Sequence, residues 1–212
     1  MGTAGAAAAP AGRDGPAERR LDSDKARRIV AAMRASVARR GAAGSTFDHV
    51  AREAGVSRGL LHYYFGSKER LLVEVVRHDA ELRIEAFEDR LRGADTLDSV
   101  IEALVAQLRE FVEQDEVTHA VIHELLSAAR QNDEIRDELA EHYRRLRGRV
   151  AEILREKQDD GVVVLRAAPE AAAAVLLAIA DGFEVQATID HEWDTAPTVT
   201  AAVASVRHLL GA

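Results

Sequence analysis

The sequence predicts an all-α fold, and two observations lead to this prediction. Four prolines occur in 212 residues, at positions 10, 16, 169 and 197, so residues 17–168 lack the residue that breaks helices. Apolar residues recur at the three- and four-residue spacing of helices, whereas strand-type alternation is nearly absent. The best strand candidate, residues 161–165, follows an Asp-Asp-Gly turn and is predicted to be a loop.

About nine helices are predicted from their start and stop residues. Thr46 and Ser57 are expected to cap the second and third helices, and Gly41 and Gly44 to end the first. Pro169 and Pro197 are expected to begin the last two helices. A proline is tolerated there because the backbone N–H at the first helical position has no acceptor within the helix. The link between the basic front half and the rest of the chain is expected to lie inside the fourth helix, without a Gly/Ser-rich hinge. The predicted helices span residues 24–39, 47–54, 58–64, 68–91, 97–112, 117–130, 135–158, 170–189 and 198–210.

The net charge of −8 is divided unevenly along the chain. Residues 1–70 hold 13 lysines and arginines against 7 acidic residues, a net charge of +6, whereas residues 71–212 hold 15 against 29, a net charge of −14. A basic front half on an acidic body is typical of a protein with a nucleic-acid-binding head. Chance clustering of surface charge is the alternative.

Composition excludes several classes of function. The chain has no cysteine, which rules out disulfides, cysteine zinc sites and thiol nucleophiles. The first twenty residues lack the apolar segment of a signal peptide, and no uninterrupted run of about 18 apolar residues occurs, so we expect a cytoplasmic protein without a membrane partner. No nucleotide-binding loop or Ser/His/Asp arrangement stands out, and we expect neither an enzyme nor a cofactor.

Residues 47–66, FDHVAREAGVSRGLLHYYFG, have the spacing of a helix-turn-helix. Two helices that cross steeply need a small residue where they approach, a turn former between them and an apolar anchor on the second helix. Ala51, Gly55 and Leu61 supply these. A helical hairpin of another kind can show the same residues at these offsets. In a helix-turn-helix the second helix enters the major groove of DNA.

The residues that follow are more distinctive. Residues 57–72, SRGLLHYYFGSKERLL, resemble the signature of the TetR family of bacterial transcriptional regulators: a Ser-capped helix, an aromatic pair before Phe, and a Ser-Lys-Glu turn into a long fourth helix. The resemblance is detailed over residues 24–76 and continues in helix count to the C-terminus. It implies a disordered tail over residues 1–22, a helix-turn-helix DNA-binding domain over residues 23–68, and an effector-binding and dimerisation domain over residues 69–212.

The resemblance implies that the helix-turn-helix and the start of the fourth helix bind a double-stranded operator. Lys68 and the hydroxyls at the helix N-termini suit backbone phosphates, and Arg58 and Tyr63 are the candidates for base edges. The sequence departs from the family pattern at Leu60, where Thr is common, and at His62, where Tyr is more usual. The predicted contacts are Thr46, Ser57, Arg58, Gly59, Leu60, His62, Tyr63, Tyr64 and Lys68.

Basic residues also lie at or before the first helix. An arm of this kind can follow a minor groove, and a solvated tail is the alternative. The residues concerned are Arg19, Arg20, Lys25, Arg27 and Arg28.

The last two helices are predicted to form a homodimer. A single recognition helix covers few base pairs, so specific binding requires two half-sites read by a symmetric dimer. Small residues recur every four positions along the eighth helix, which permits close approach of a partner helix; burial inside the monomer is the alternative. The predicted interface residues are Ala174, Val175, Ala178, Gly182, Val185, Val199, Val203 and Val206.

Helices four to seven would then enclose a pocket for an unknown small-molecule effector, as the resemblance implies. The polar candidates for its lining are Arg109, His119, His123, Glu124, Gln131, Asp181 and Gln186. His119 and His123 share a helical face, but no third ligand is indicated and no metal is expected. We therefore expect a repressor that its effector releases from DNA. The alternatives are an all-helical enzyme and a nonspecific DNA-binding protein with no effector.

Overall fold

The computed structural model describes residues 24–114 and 116–211, and this part of the chain contains nine helices and no strand. The all-α prediction is confirmed. Residues 161–165 form a loop, and the backbone N–H of Val164 donates to the Leu210 carbonyl at 3.0 Å. The helices are α1 (Asp24–Gly44), α2 (Phe47–Ala54), α3 (Arg58–Phe65), α4 (Lys68–Arg92), α5 (Leu97–Gln114), α6 (Glu116–Ala129), α7 (Asp133–Asp159), α8 (Pro169–Ile189) and α9 (Ala196–Leu209).

Side-chain caps determine where α2 and α3 start. Thr46 Oγ1 accepts from the His49 N–H at 3.4 Å, and Ser57 Oγ accepts from the Leu60 N–H at 3.3 Å, so each satisfies a backbone donor that lacks a helical partner. Gly55, with φ of 65°, makes the left-handed turn that separates α2 from α3. The expected caps and turn are thus present.

Helix α1 extends beyond the predicted Arg39 and ends at Gly44, one of the two glycines predicted to end it. Helical residues continue to Gly44, with a break at Gly41, where φ is 72°. Ser45 Oγ donates to the Gly41 carbonyl at 2.9 Å and lies 2.9 Å from Ser36 Oγ, so buried hydroxyls satisfy the interrupted backbone. A glycine that takes a positive φ therefore bends the segment without ending it at once.

Two apolar cores hold the helices together. The first joins α1, α2 and α3 to the start of α4 and to α6 and α7, through fully buried residues such as Met33, Leu61 and Leu125. The second joins the rest of α4 to α5, α7, α8 and α9. The first core contains residues from both sides of the predicted domain boundary at residues 68 and 69. The packing therefore does not separate two domains there, and the division into two domains stays a prediction.

Helix α8 is long and apolar enough by length and composition to cross a membrane, with a mean hydropathy of 1.5. Ala172, Ala173 and Phe183 are buried against the rest of the fold, and Asp181 and Glu184 interrupt its apolar run. The helix therefore packs on the rest of the fold along one side, and 22% of its apolar window is buried.

The N-terminal basic residues fall into two groups. Arg19, Arg20 and the tail of residues 1–22 lie outside the described residues. Within α1, Arg28 donates to the Ala54 carbonyl at 2.8 Å, and Arg27 pairs with Asp24 on the preceding turn. The α1 arginines therefore already have contacts inside the protein.

Candidate nucleic-acid interface and ligand cavity

Helix α3 has a buried side and an exposed side. Leu61 and Phe65 are buried in the first core and hold the helix in place. Gly59 and Tyr63 lie on the exposed side, Tyr63 with 58% of its surface accessible, and Leu60 is half-buried at the edge. The exposed side is therefore available to a DNA groove.

Arg58, at the first turn of α3, lies near Asp48 of α2. Its Nη1 is 3.3 Å from Asp48 Oδ2, and both side chains are 60% exposed. An ion pair this exposed contributes little, about 0–1 kcal/mol, because water screens it. The guanidinium can therefore leave Asp48 for the edge of a guanine at small cost.

The aromatic side chains of α3 contact other rings, the backbone and the first core. The His62 ring meets Phe47 edge-on, with centroids 4.8 Å apart, and its Nδ1 donates to the Gly66 carbonyl at 3.1 Å. That bond leaves Nε2 as the ring nitrogen available to DNA. Tyr64 is half-buried and packs on the first core, with its ring 5.5 Å from that of Tyr63.

Lys68 begins α4, next to the N-terminal cap Ser67. Its Nζ lies 3.2 Å from Glu124 Oε1 on α6, and the two side chains are 22% and 33% exposed. Lys68, a predicted phosphate contact, thus pairs with Glu124, a predicted pocket residue. The pair lies where the predicted DNA-binding head (residues 23–68) meets the predicted body (residues 69–212).

A cavity of about 160 Å³ lies between α4, α5, α7, α8 and α9, and Ile122 of α6 also lines it. Its wall is mainly apolar and includes Ile84, Phe87, Leu104, Phe111 and Leu146. The polar side chains that line it are Arg83, Gln107, His142, Tyr143 and Asp181.

Burial controls the ionisation of the polar groups in this wall. Burial and the nearby Glu184 carboxylate raise the pKa of Asp181, and a hydrogen bond from the Tyr143 hydroxyl opposes this rise. Burial and the same carboxylates raise the pKa of Tyr143 to about 12, so the phenol keeps its proton. Burial and three arginines, first among them Arg145, lower the pKa of His142 to about 4. The imidazole is therefore neutral at pH 7.

One face of α8 remains uncovered in the single chain. Val175, Ala178, Val185 and Ile189 lie on it, all of them exposed, Ile189 at 78%. They lie three, seven and four residues apart, the spacing of one helical face, and form an apolar stripe along the helix. Ala174 and Gly182 are half-buried beside them.

Two sequence profiles cover most of the chain. The profile described as bacterial regulatory proteins of the tetR family matches residues 29–75, and that of the C-terminal part of BetI-type transcriptional repressors matches residues 95–211. The chain belongs to the TetR family. The resemblance read from residues 57–72 is thereby confirmed.

Relatives and solved structures of this TetR-family chain agree with its fold. The HTH-type transcriptional regulator BetI of Agrobacterium fabrum is 33% identical over 123 residues, which cover 56% of this chain and 57% of the relative. A transcriptional regulator from Saccharomonospora viridis, solved in complex with choline, has a TM-score of 0.64 and 23% identity, over 89% of this chain and 94% of that one. FadR of Bacillus subtilis, solved with stearoyl-CoA, has a TM-score of 0.63 and 21% identity, over 87% and 96%.

Of the seven predicted pocket residues in this TetR-family protein, Asp181 lines the cavity and the other six lie outside its wall. His119 and His123 face the buried Glu184, with His123 Nε2 3.2 Å from Glu184 Oε2. Glu124 pairs with Lys68. Arg109, Gln131 and Gln186 are exposed, and Gln186 donates to the Gly182 carbonyl at 3.0 Å. Polarity alone did not tell which face of each helix points inward.

Four polar residues that were not predicted from the sequence line the cavity instead. Arg83 lies over the Phe111 ring at 5.4 Å, and Gln107, His142 and Tyr143 complete the set. For His142 a signal exists, because it lies three residues after Leu139 and four before Leu146, the spacing of an inward helical face. No metal-binding group of three or more His, Asp or Glu residues occurs among the residues that the structure describes.

The predicted dimer residues of α9 differ from those of α8. Val199 and Val203 are half-buried and line the cavity, and Val206 is 8% exposed and belongs to the second core. Burial inside the monomer, the alternative reading, therefore holds for Val206. The apolar spacing of α9 places Val206 against the rest of the chain. Sequence alone does not distinguish such a face from one that packs against a partner.

Proposed function

We propose that this TetR-family chain is a cytoplasmic DNA-binding repressor that a small molecule releases from its operator. One observation supports this most: α4 is a single helix of 25 residues that runs from the DNA-reading face to the cavity. Lys68 begins it beside α3, and Ile84 and Phe87 line the cavity. At a rise of about 1.5 Å per residue, a helix of this kind links points roughly 24 Å apart.

A rigid link permits release only if the ligand prefers one position of α4. A molecule that binds better when α4 is displaced shifts the population toward that position, and the DNA-reading heads move with the helix. The cavity suits a small, mostly apolar molecule that can meet the Asp181–Tyr143 pair. Choline and stearoyl-CoA in the two fold relatives show that this fold accommodates ligands in those proteins.

Homodimerisation through α8 completes the proposal. The stripe of Val175, Ala178, Val185 and Ile189 can pack against its own copy across a twofold axis, since it consists of small and branched apolar residues with the half-buried Gly182 beside it. Two copies joined in this way present two α3 helices to two half-sites of DNA.

Selection from a random pool of DNA duplexes tests the proposal. We expect the enriched sequences to contain an inverted repeat, bound at least about a thousandfold more tightly than random DNA. A compound that raises the thermal stability of the protein should then weaken operator binding. Equal binding to enriched and random duplexes would support the nonspecific alternative, and undiminished binding with a stabilising compound would contradict release by an effector.

A further inference from the structure

The ammonium of Lys68 is held by the body of the protein. Glu124 of α6 lies 3.2 Å from it, on a helix that packs against the first half of α4. The pair is sheltered, with 22% and 33% of the two side chains exposed, so water and salt screen it less than an open surface pair. It therefore persists in the protein without DNA.

A DNA phosphate and Glu124 require the same positive charge. An ammonium carries one charge, which a phosphate and a carboxylate can both neutralise. We propose that Glu124 competes with the DNA backbone for Lys68, so that this carboxylate of the body sets the strength of DNA binding. The inference rests on the proposed function, because it takes Lys68 as a phosphate contact.

Glu124 is better placed for this competition than the other acidic partners of the head. Asp48 holds Arg58 at 3.3 Å, but both side chains are 60% exposed and their pair is weak. Glu138 holds Arg70 through Nε at 3.0 Å, but Arg70 is not among the predicted phosphate contacts. Only at Lys68 does a sheltered carboxylate meet a predicted phosphate contact among the described residues.

The position of Glu124 depends on contacts that α6 makes elsewhere. Thr118 donates to Asp79 of α4 at 2.9 Å, and His123 lies 3.2 Å from Glu184 of α8. Glu184 is one turn from Asp181, which lines the cavity. A shift of α6 relative to α4 therefore changes the distance between Glu124 and Lys68, and with it the availability of Lys68 to phosphate.

Binding of a labelled random-sequence duplex, about three helical turns long, tests the inference without an operator. We expect Glu124→Gln to tighten binding about two- to fivefold for each bound head, the equivalent of the pair it removes. Lys68→Ala should weaken binding, and Glu124→Gln should give no gain in the Lys68→Ala background. Glu116→Gln is the matched control, since it removes the same charge from the exposed start of α6 and should change affinity less.

Two results would overturn the inference. A gain that survives in the Lys68→Ala background would show a general effect of charge, and the absence of a gain in folded Glu124→Gln would show that the pair is structural alone. Thermal unfolding of each variant verifies folding. The random duplex contains no operator, so this measurement does not depend on sequence preference. If the protein bound all sequences equally, the proposed repressor would be contradicted but the result on Glu124 would stand. The two failures are therefore distinguishable.

Discussion

Arg34 of α1 reaches Asp79 in the middle of α4, and its Nε lies 3.0 Å from each carboxylate oxygen. Asp79 is only 5% exposed and also accepts a hydrogen bond from Thr118 of α6 at 2.9 Å. One buried carboxylate thus joins the first helix of the head to two helices of the body. Because the buried charge must be compensated, this contact stabilises the junction.

Arg34→Ala should lower the free energy of unfolding by about 1.5–3 kcal/mol, because it removes charge-assisted hydrogen bonds to a buried carboxylate. Arg27→Ala is the matched control, since its pair with Asp24 on the same helix is exposed and should contribute about 0–1 kcal/mol. Urea unfolding measures both. Equal losses in the two variants would show that Asp79 is compensated by other groups.

Arg58→Ala should weaken operator binding by about 1–3 kcal/mol and relax the preference at one base pair, because Arg58 projects from the exposed side of α3. Lys68→Ala should weaken binding to all sequences and lower the salt slope by about one unit. Fluorescence anisotropy with cognate and random duplexes at several salt concentrations separates the two. Equal losses on both duplexes for Arg58→Ala would place it on the backbone alone.

The helices and the helix-turn-helix were predictable because local residues determine them. Thr46 and Ser57 cap, Gly55 turns, and Leu61 anchors, and each acts within a few positions of itself. The helical residues between Gly41 and Gly44 were not predicted, since the Gly41 carbonyl there depends on a hydrogen bond from the Ser45 hydroxyl.

The cavity was not predictable in the same way. Arg83, His142 and Asp181 come from three helices far apart in the chain, and their meeting depends on how α4, α7 and α8 pack. Polar residues such as His119 and Glu124 were chosen for their type, but Glu184 and Lys68 are their partners. Long-range partners of this kind leave no spacing pattern in the sequence.

The neutral His142 should make stability depend on pH. Its pKa is about 4 in the folded chain against 6.5 in the unfolded one, so only the unfolded state gains a proton as pH falls through this window. We expect its contribution to fall by about 2 kcal/mol from pH 6.5 to pH 5. The raised pKa values of Glu74 and Asp181 act with the opposite sign, because the folded state takes up these protons before the unfolded state as pH falls.

The difference between unfolding curves of the wild type and His142→Gln isolates this contribution from the carboxylates. Arg77, Arg83 and Arg145, the cations that disfavour the imidazolium, remain in both proteins. Parallel stability–pH curves for the two proteins would show that the folded imidazole takes up its proton as freely as the unfolded one.

Ala180→Phe should fill the cavity from the α8 side and prevent effector binding, because Ala180 lines the cavity. Ala171→Phe, at an exposed position of the same helix, is the matched control. Thermal shifts with the stabilising compound measure occupancy, and operator titrations measure release. Release of Ala180→Phe at wild-type compound concentrations would place the effector elsewhere.

A single charged substitution on the exposed stripe of α8 tests whether the protein dimerises through this face. Val185→Glu places a carboxylate in the centre of an apolar face, where a dimer would have to bury it beside its own twofold copy. We expect a monomer by light scattering, with unchanged helical content and loss of operator binding, since one head covers a single half-site. Leu82→Glu, which charges an exposed leucine on α4, should remain a dimer. A dimeric Val185→Glu that still binds the operator would place the interface on another surface of the chain.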